Sequence, residues 1–164
     1  MRDFIFLLLI FISILIGAYW LASRGIVLIP WRTPAPSPLP EFMRLKIGPT
    51  ALEAERVQTL ETRAQGLSGR ENLPEDQGMI FIFPEPGNYG FWMRQMRFPL
   101  DIIWISAEKK IIGIEPNIPP PLPSTPETEL KIYYPPEAVQ YVLEGNAGWS
   151  ERHQIRIGDL VIFE

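Results

Sequence analysis

The chain has 164 residues, 46% of them hydrophobic and 21% charged, which fits one domain with an appendage and excludes both a disordered chain and a multi-span transporter. With no cysteine and a single histidine, the chain offers no disulfide framework, no thiol nucleophile and no thiolate or histidine-rich metal site. The formal net charge is −4, and eighteen prolines, about twice the usual share of about 5%, cluster in a way that points to extended connectors.

From Phe4 to Ser23 the chain runs for twenty residues without a charge. At about 1.5 Å per helical residue this stretch spans about 30 Å, one bilayer crossing, so residues 1–29 are expected to be a transmembrane signal-anchor segment. A cleaved signal peptide is the rival reading. Its apolar core usually covers about 7–15 residues and ends in small residues, whereas Tyr19, Trp20 and Leu21 stand at that place here. Tyr19 and Trp20 suit the headgroup belt, and Arg2 and Asp3 against Arg24 and Arg32 leave the orientation open. Residues 30–42 carry Pro30, Pro34, Pro36, Pro38 and Pro40 and favour a polyproline II stalk, long enough at about 3.1 Å per residue to hold a domain roughly 30 Å from the bilayer. Such a stalk is more usual on the exported side, so a single-pass membrane protein with its domain outside the cytoplasm is expected. Beyond Pro40, twelve Lys or Arg stand against eighteen Asp or Glu, a net charge of −6. This acidity argues against nucleic acid as a partner and against flat docking on anionic lipid.

Residues 43–164 read as a single globular domain. Arg44 to Gly48 and Leu52 to Gln58 alternate around Gly48-Pro49-Thr50, which predicts a hairpin. Thr59 to Gly66 predicts a short helix, with Thr59 as its cap, Glu61 in the first turn and Gly66 as its stop. Met79 to Phe83 is an uninterrupted apolar run ended by Pro84, the pattern of a central strand buried on both faces. Tyr89 to Met93, Leu100 to Ser106 and Ile111 to Glu115 read as strands, the last two as a meander. Residues 116–136 hold eight prolines and are expected to be a surface excursion. Val139 to Glu144 predicts a strand, Ala147 to Gln154 a short helix and Asp159 to Phe163 a last strand. The expected class is α+β, mainly antiparallel β, with a small curved sheet or barrel-like domain, two short helices and one preceding transmembrane helix.

Four stretches carry a resemblance: Arg63-x-x-Gly66-Leu67-x-x-Arg70; Gly78 to Phe83; Phe91-Trp92-Met93-Arg94-Gln95-Met96-Arg97-Phe98-Pro99-Leu100-Asp101-Ile102; and Tyr141 to Glu144 with Ala147-Gly148-Trp149 and Gly158-Asp159. In this order and spacing the chain resembles the domain of unknown function 192 family over about residues 43–164. The resemblance implies a small exported or membrane-attached prokaryotic domain with a compact, mostly antiparallel β fold, and implies no activity. Two departures stand out. The family's usual Lys-Asn-Thr after Trp-Met is Arg94-Gln95-Met96 here, which removes a short amide and a hydroxyl, and the connection at 116–136 is longer and richer in proline.

Phe91-Trp92-Met93, flanked by Arg94 and Arg97, has the chemistry to stack a sugar ring or clamp an acidic ligand, and in a strand Trp92 points opposite to Phe91 and Met93. Core packing explains the same residues. Arg63 and Arg70 are suited to bind a carboxylate or phosphate, or to tether the short helix. Asp101 is expected to pair with Arg63, Arg70 or Arg94. The candidate ligand-binding set is therefore Trp92, Arg94, Arg70, Arg63 and Asp101, with no catalytic residue, metal or cofactor assigned. Ser150, His153 and Asp159 have the residue types of a hydrolytic triad but lack a nucleophile elbow and an oxyanion hole. Glu53 and Glu55 read as one solvated strand face. A small ligand, glycan or envelope protein is the expected partner besides the membrane through residues 4–23. The rivals are a hydrolase acting on envelope polymers, with Asp101 or Glu144 as acid or base, and a scaffold of a membrane complex that docks through Pro119-Pro120-Pro121-x-Pro123.

Overall fold

The computed structural model describes residues 40–164 and, of the preceding segment, Tyr19 alone. Apart from Tyr19, the anchor expected at 1–29 falls outside the described residues, as does the stalk up to residue 39, and Phe42, counted with the stalk, opens the first strand. Among the described residues no helix is long and apolar enough to cross a membrane.

The chain enters the domain with a hairpin, β1 (Phe42–Ile47) and β2 (Thr50–Val57), paired from Phe42–Glu55 to Ile47–Thr50. Gly48 turns it at φ +56, a left-handed conformation that glycine adopts without a Cβ penalty. Helix α1 (Leu60–Gln65) follows, with the Thr59 side chain accepting from the Thr62 N–H at 3.2 Å and the Thr62 hydroxyl accepting from the Thr59 N–H. The chain then crosses back through a loop into β3 (Gln77–Gly87), which lies parallel to β2. Two elements joined by a helix and a loop have enough chain to reverse direction twice, which is what a parallel pair requires. The hairpin reading extends no further than β2 for this reason.

Strand β3 outruns the stop expected at Pro84. Its pairing shifts register between Ile82 and Gly87, and Pro84 and Pro86 sit in that irregular stretch, where no ladder N–H is needed. The strand expected at 89–93 shortens to β4 (Phe91–Trp92). The meander is present as β5 (Leu100–Ile105) and β6 (Ile111–Ile118), antiparallel, with Lys109 at φ +62 in the connecting turn. The proline-rich excursion contains a 3₁₀ turn, Glu127–Glu129, and a strand, β7 (Ile132–Tyr133), which pairs with β4 as a separate two-stranded sheet. Here the sequence expectation of no ladder is overturned, because Ile132 and Tyr133 lie past the last proline of the run before Pro135. β8 (Val139–Asn146), α2 (Trp149–Arg152) and β9 (Val161–Phe163) complete the domain.

The main sheet has the order β6-β5-β8-β3-β2-β1-β9, antiparallel except at β2–β3. Its two outer strands approach each other at one end: Lys110 pairs with Leu160, and the Val161 N–H donates to the Lys109 carbonyl at 2.8 Å. The sheet is thus curled into a half-barrel. One face packs Leu45, Ile80, Ile103, Leu143, Trp149 and their neighbours inside the curl. The other packs Met79, Phe81, Phe91, Ile102, Trp104 and Val142 beneath α1, the loop after it and β4. Successive residues of β3 therefore enter different cores, as the run Met79 to Phe83 predicts.

Candidate functional site

Strands β3 and β8 and helix α1 enclose a cleft on the second face, with a volume of about 360 Å³. Its aromatic wall is built locally. Phe81 and Phe83 share one face of β3, and Tyr89 folds back so that its ring stacks on Phe83, with centroids 3.6 Å apart and planes 9° from parallel. Tyr89 is held there by its hydroxyl, which donates to the Glu85 carbonyl at 2.7 Å. Phe91 meets Phe81 edge-on at 4.8 Å. Gly90 is required beside it, because a Cβ there would lie 2.7 Å from Ile132 Cγ2 on β7.

Alternation through β4 places Phe91, and Met93 just past the strand's end, inward and leaves Trp92 44% exposed on the cleft wall. The Arg94 guanidinium lies 5.8 Å from the Trp92 ring centroid and its Nε donates to Glu127 at 2.9 Å, which ties the wall to the proline-rich excursion. Arg63 reaches from α1 across Phe83, 5.0 Å from the ring centroid, and donates through Nη1 to the carbonyls of Gln58 and Ile82. It both tethers the helix and borders the cleft.

Glu144 forms part of the floor. It stands on β8 opposite Met79 of β3 and Ile102 of β5, so its same-level neighbours are apolar. Its side chain is 6% exposed and makes no hydrogen bond or ion pair with a described residue. Burial alone pushes its pKa from the ordinary 4.5 up to about 8, so at neutral pH it is mainly an uncharged carboxylic acid.

Of the five residues expected from sequence, the structure brings three, Trp92, Arg94 and Arg63, to this cleft. Arg70 points elsewhere and holds Glu55 of β2 in a two-pronged ion pair at 2.7 and 3.0 Å, which also draws Glu55 out of the solvated face expected for it. Asp101 is fully buried and touches no arginine. Its Oδ1 accepts from the N–H groups of Asn117 and Gly148, and its Oδ2 from the N–H and hydroxyl of Ser150, the last at 2.6 Å. With four donors filling its acceptor sites, Asp101 fastens β6 and the start of α2 to β5. The same bond commits Ser150, while Asp159 accepts from the Arg156 N–H, so Ser150, His153 and Asp159 do not converge. Phe81, Phe83 and Tyr89 join the site without a sequence signal of their own, since apolar residues in a strand read as core. No group of three or more His, Asp or Glu side chains is placed to hold a metal ion among the described residues.

The fold defines a small β-rich domain: a curled half-barrel of mostly antiparallel strands with two short helices. The model of the family DUF192, described as an uncharacterized ACR, matches residues 43–163, and the chain belongs to this family. No curated protein matches the chain. Two crystal structures are similar. One, from Sinorhizobium meliloti 1021, is provisionally named a transcription regulator; it is 29% identical, with a TM-score of 0.68 over 76% of this chain and 95% of that one. The other, a protein of unknown function from Novosphingobium aromaticivorans DSM 12444, is 26% identical, with a TM-score of 0.66 over 80% of this chain and 97% of that one.

Proposed function

We propose that the protein is a membrane-anchored, extracytoplasmic binding domain that holds a small ligand or envelope component in the cleft at Trp92, Arg94 and Arg63. The observation that carries this is the cleft itself. Its volume of about 360 Å³ falls within the range of about 300–1,000 Å³ typical of small-molecule sites, and it combines aromatic walls with few polar groups. An exposed indole beside a guanidinium suits the flat face of a sugar or another ring. Anchoring rests on the uncharged run 4–23 and the exported placement on the stalk 30–42.

The test is Trp92→Ala in the full-length protein, screened against sugars, peptides and envelope fragments by calorimetry. Ligand binding is expected to weaken while the melting temperature stays within a few degrees, because Trp92 is half exposed. An early melt with no effect on binding would make Trp92 a core residue and sink the proposal. For topology, Ser124 lies exposed in the proline-rich excursion of a chain without cysteine. Ser124→Cys is expected to react with an impermeant maleimide in intact cells; reaction only after lysis would instead support a scaffold at the cytoplasmic face.

The hydrolase reading has one observation in its favour, a carboxylic acid held protonated in a cleft, as a general acid requires. Glu144 is the carboxylate on that cleft's lining and Asp101 is remote from it, so a second acid or base is missing among the described residues. Binding is the reading we retain.

A further inference from the structure

We propose that Glu144 is the recognition group of the cleft, and that its carboxyl O–H and C=O pair with a flat ring ligand presenting a hydrogen-bond donor and acceptor side by side, as a cyclic amide does. This rests on the cleft being a small-ligand site.

A carboxyl side chain buried without a partner loses its hydration and gains nothing in return, which makes it unfavourable for folding unless something else satisfies it. Glu144 approaches this state: it stands on an interior strand of the sheet, has no hydrogen-bond partner among the described residues and keeps access to solvent through the cleft, so a ligand that enters must replace that solvent. The groups that face it from each packed element do not supply a partner. β3 and β5 bring Met79, Phe81 and Ile102, all apolar, and Trp104, whose buried indole N–H bonds to no described residue, Glu144 included. From α1, Arg63 is bonded to two backbone carbonyls. From the turn after β4, Arg94 is paired with Glu127. The Tyr89 hydroxyl is taken by Glu85. With burial raising its pKa to about 8, Glu144 offers one donor and one acceptor at neutral pH.

The complement of an O–H beside a C=O is a C=O beside an N–H. A cyclic amide supplies both in the plane of its ring, and the aromatic walls formed by Phe81, Phe91 and Trp92 suit that ring's faces. A cationic ligand fits less well, because Arg63 and Arg94 line the same cleft with like charge.

Three probes of similar shape test this on the full-length protein in detergent micelles by calorimetry: quinolin-2-one, a cyclic amide; naphthalene, which lacks polar atoms; and 1-methylquinolinium, a permanent cation that suits a carboxylate and has no N–H to pair with a neutral acid. Quinolin-2-one is expected to bind best at pH 6 and to weaken by about tenfold or more at pH 9.5, where the acid has ionised. Glu144→Gln keeps a donor and an acceptor, so it is expected to retain binding within a few-fold and to lose the pH dependence. Glu144→Leu is expected to bind about tenfold or more weakly while remaining folded. Equal binding of quinolin-2-one and naphthalene, or no effect of Glu144→Leu, would overturn the role of Glu144; sensitivity of that binding to Trp92→Ala would still retain the cleft. A preference for 1-methylquinolinium that grows with pH would also overturn it, making the site a cation receptor. Binding of none of the three probes would overturn the ring-amide class, and the cleft would then stand or fall on sugars and peptides sensitive to Trp92→Ala.

Discussion

The protonated floor of the cleft makes a quantitative prediction about stability. In the unfolded chain Glu144 ionises near its ordinary 4.5, whereas in the folded protein burial holds the transition at about 8. Below pH 4.5 both states carry the proton and this group contributes no pH dependence. Between pH 4.5 and 8 the unfolded chain has released a proton that the folded protein retains, so unfolding is favoured as pH rises, by about 1.4 kcal/mol per unit. Over that window the loss comes to about 5 kcal/mol, a large share of the total of about 5–15 kcal/mol typical of a domain. Glu144→Gln is of similar size and does not titrate. The stability of the variant minus that of the wild type is therefore expected to grow steadily from pH 4.5 to pH 8 and then level off. Urea unfolding of both proteins, followed by circular dichroism at intervals from pH 4.5 to 9, measures this difference directly, and any constant packing cost of the amide drops out of its slope. A difference that stays flat across the range, or a wild type that gains on the variant as pH rises, would refute the assignment of Glu144 as a buried acid.

Asp101→Asn sets an amide NH₂ among the donors of Asn117, Gly148 and Ser150 and is expected to destabilise the domain by about 2–4 kcal/mol in urea unfolding; a loss below about 1 kcal/mol would contradict the fastening role. Gly78→Ala would put a Cβ 2.8 Å from the Glu144 carbonyl oxygen and 2.9 Å from Leu52 Cδ2. Because backbone cannot yield as a side-chain tip can, a cost of about 1–3 kcal/mol is expected, read as a lowered melting temperature. Arg70→Ala removes the pair with Glu55, and about 1 kcal/mol, diminishing in high salt, is expected with ligand binding at the cleft unchanged; weakened binding would return Arg70 to the site. Gln95 sits at φ +55, so Gln95→Gly is expected to raise stability by about 0.5–1 kcal/mol, and a lower melting temperature would show that its side chain matters more than its backbone.

That last position also bears on the departure from the family pattern. The usual Asn tolerates a left-handed turn better than Gln does, and the carbonyl of Gln95 accepts from the Gly69 N–H at 3.0 Å, so backbone geometry accounts for a short polar residue there. The neighbouring Met96 is buried on the cleft side, where its thioether fills space that a threonine would leave open.

Much of the candidate site was legible in part. Trp92 was visible because alternation in a short strand forces it opposite Phe91 and Met93, and both inward residues are buried. Glu144 carried a weaker signal, a charge at the end of the apolar run Tyr141-Val142-Leu143, and sequence reasoning assigned it a chemical role only as acid or base of the hydrolase rival. Arg70 and Asp101 stood in recognisable motifs but lie away from the cleft, because a motif names a residue and not its partner.

What the sequence by itself determined is what depends on neighbours along the chain: the two-core alternation of Met79 to Phe83, the β5–β6 meander, the Thr59 cap of α1 and membership of the family. Each follows from a period of two, a turn residue or a short capping bond, all set within a few residues. Only the tertiary structure decided that β2 and β3 run parallel, that β7 emerges from the proline-rich excursion to pair with β4, and that Asp101 meets donors from positions 117, 148 and 150. It alone seated Glu144 between Met79 and Ile102, because strand order, and not sequence distance, chooses which side chains lie side by side. The charge state of that carboxyl group, and with it the chemistry of the cleft, is thus a property of the β5-β8-β3 arrangement.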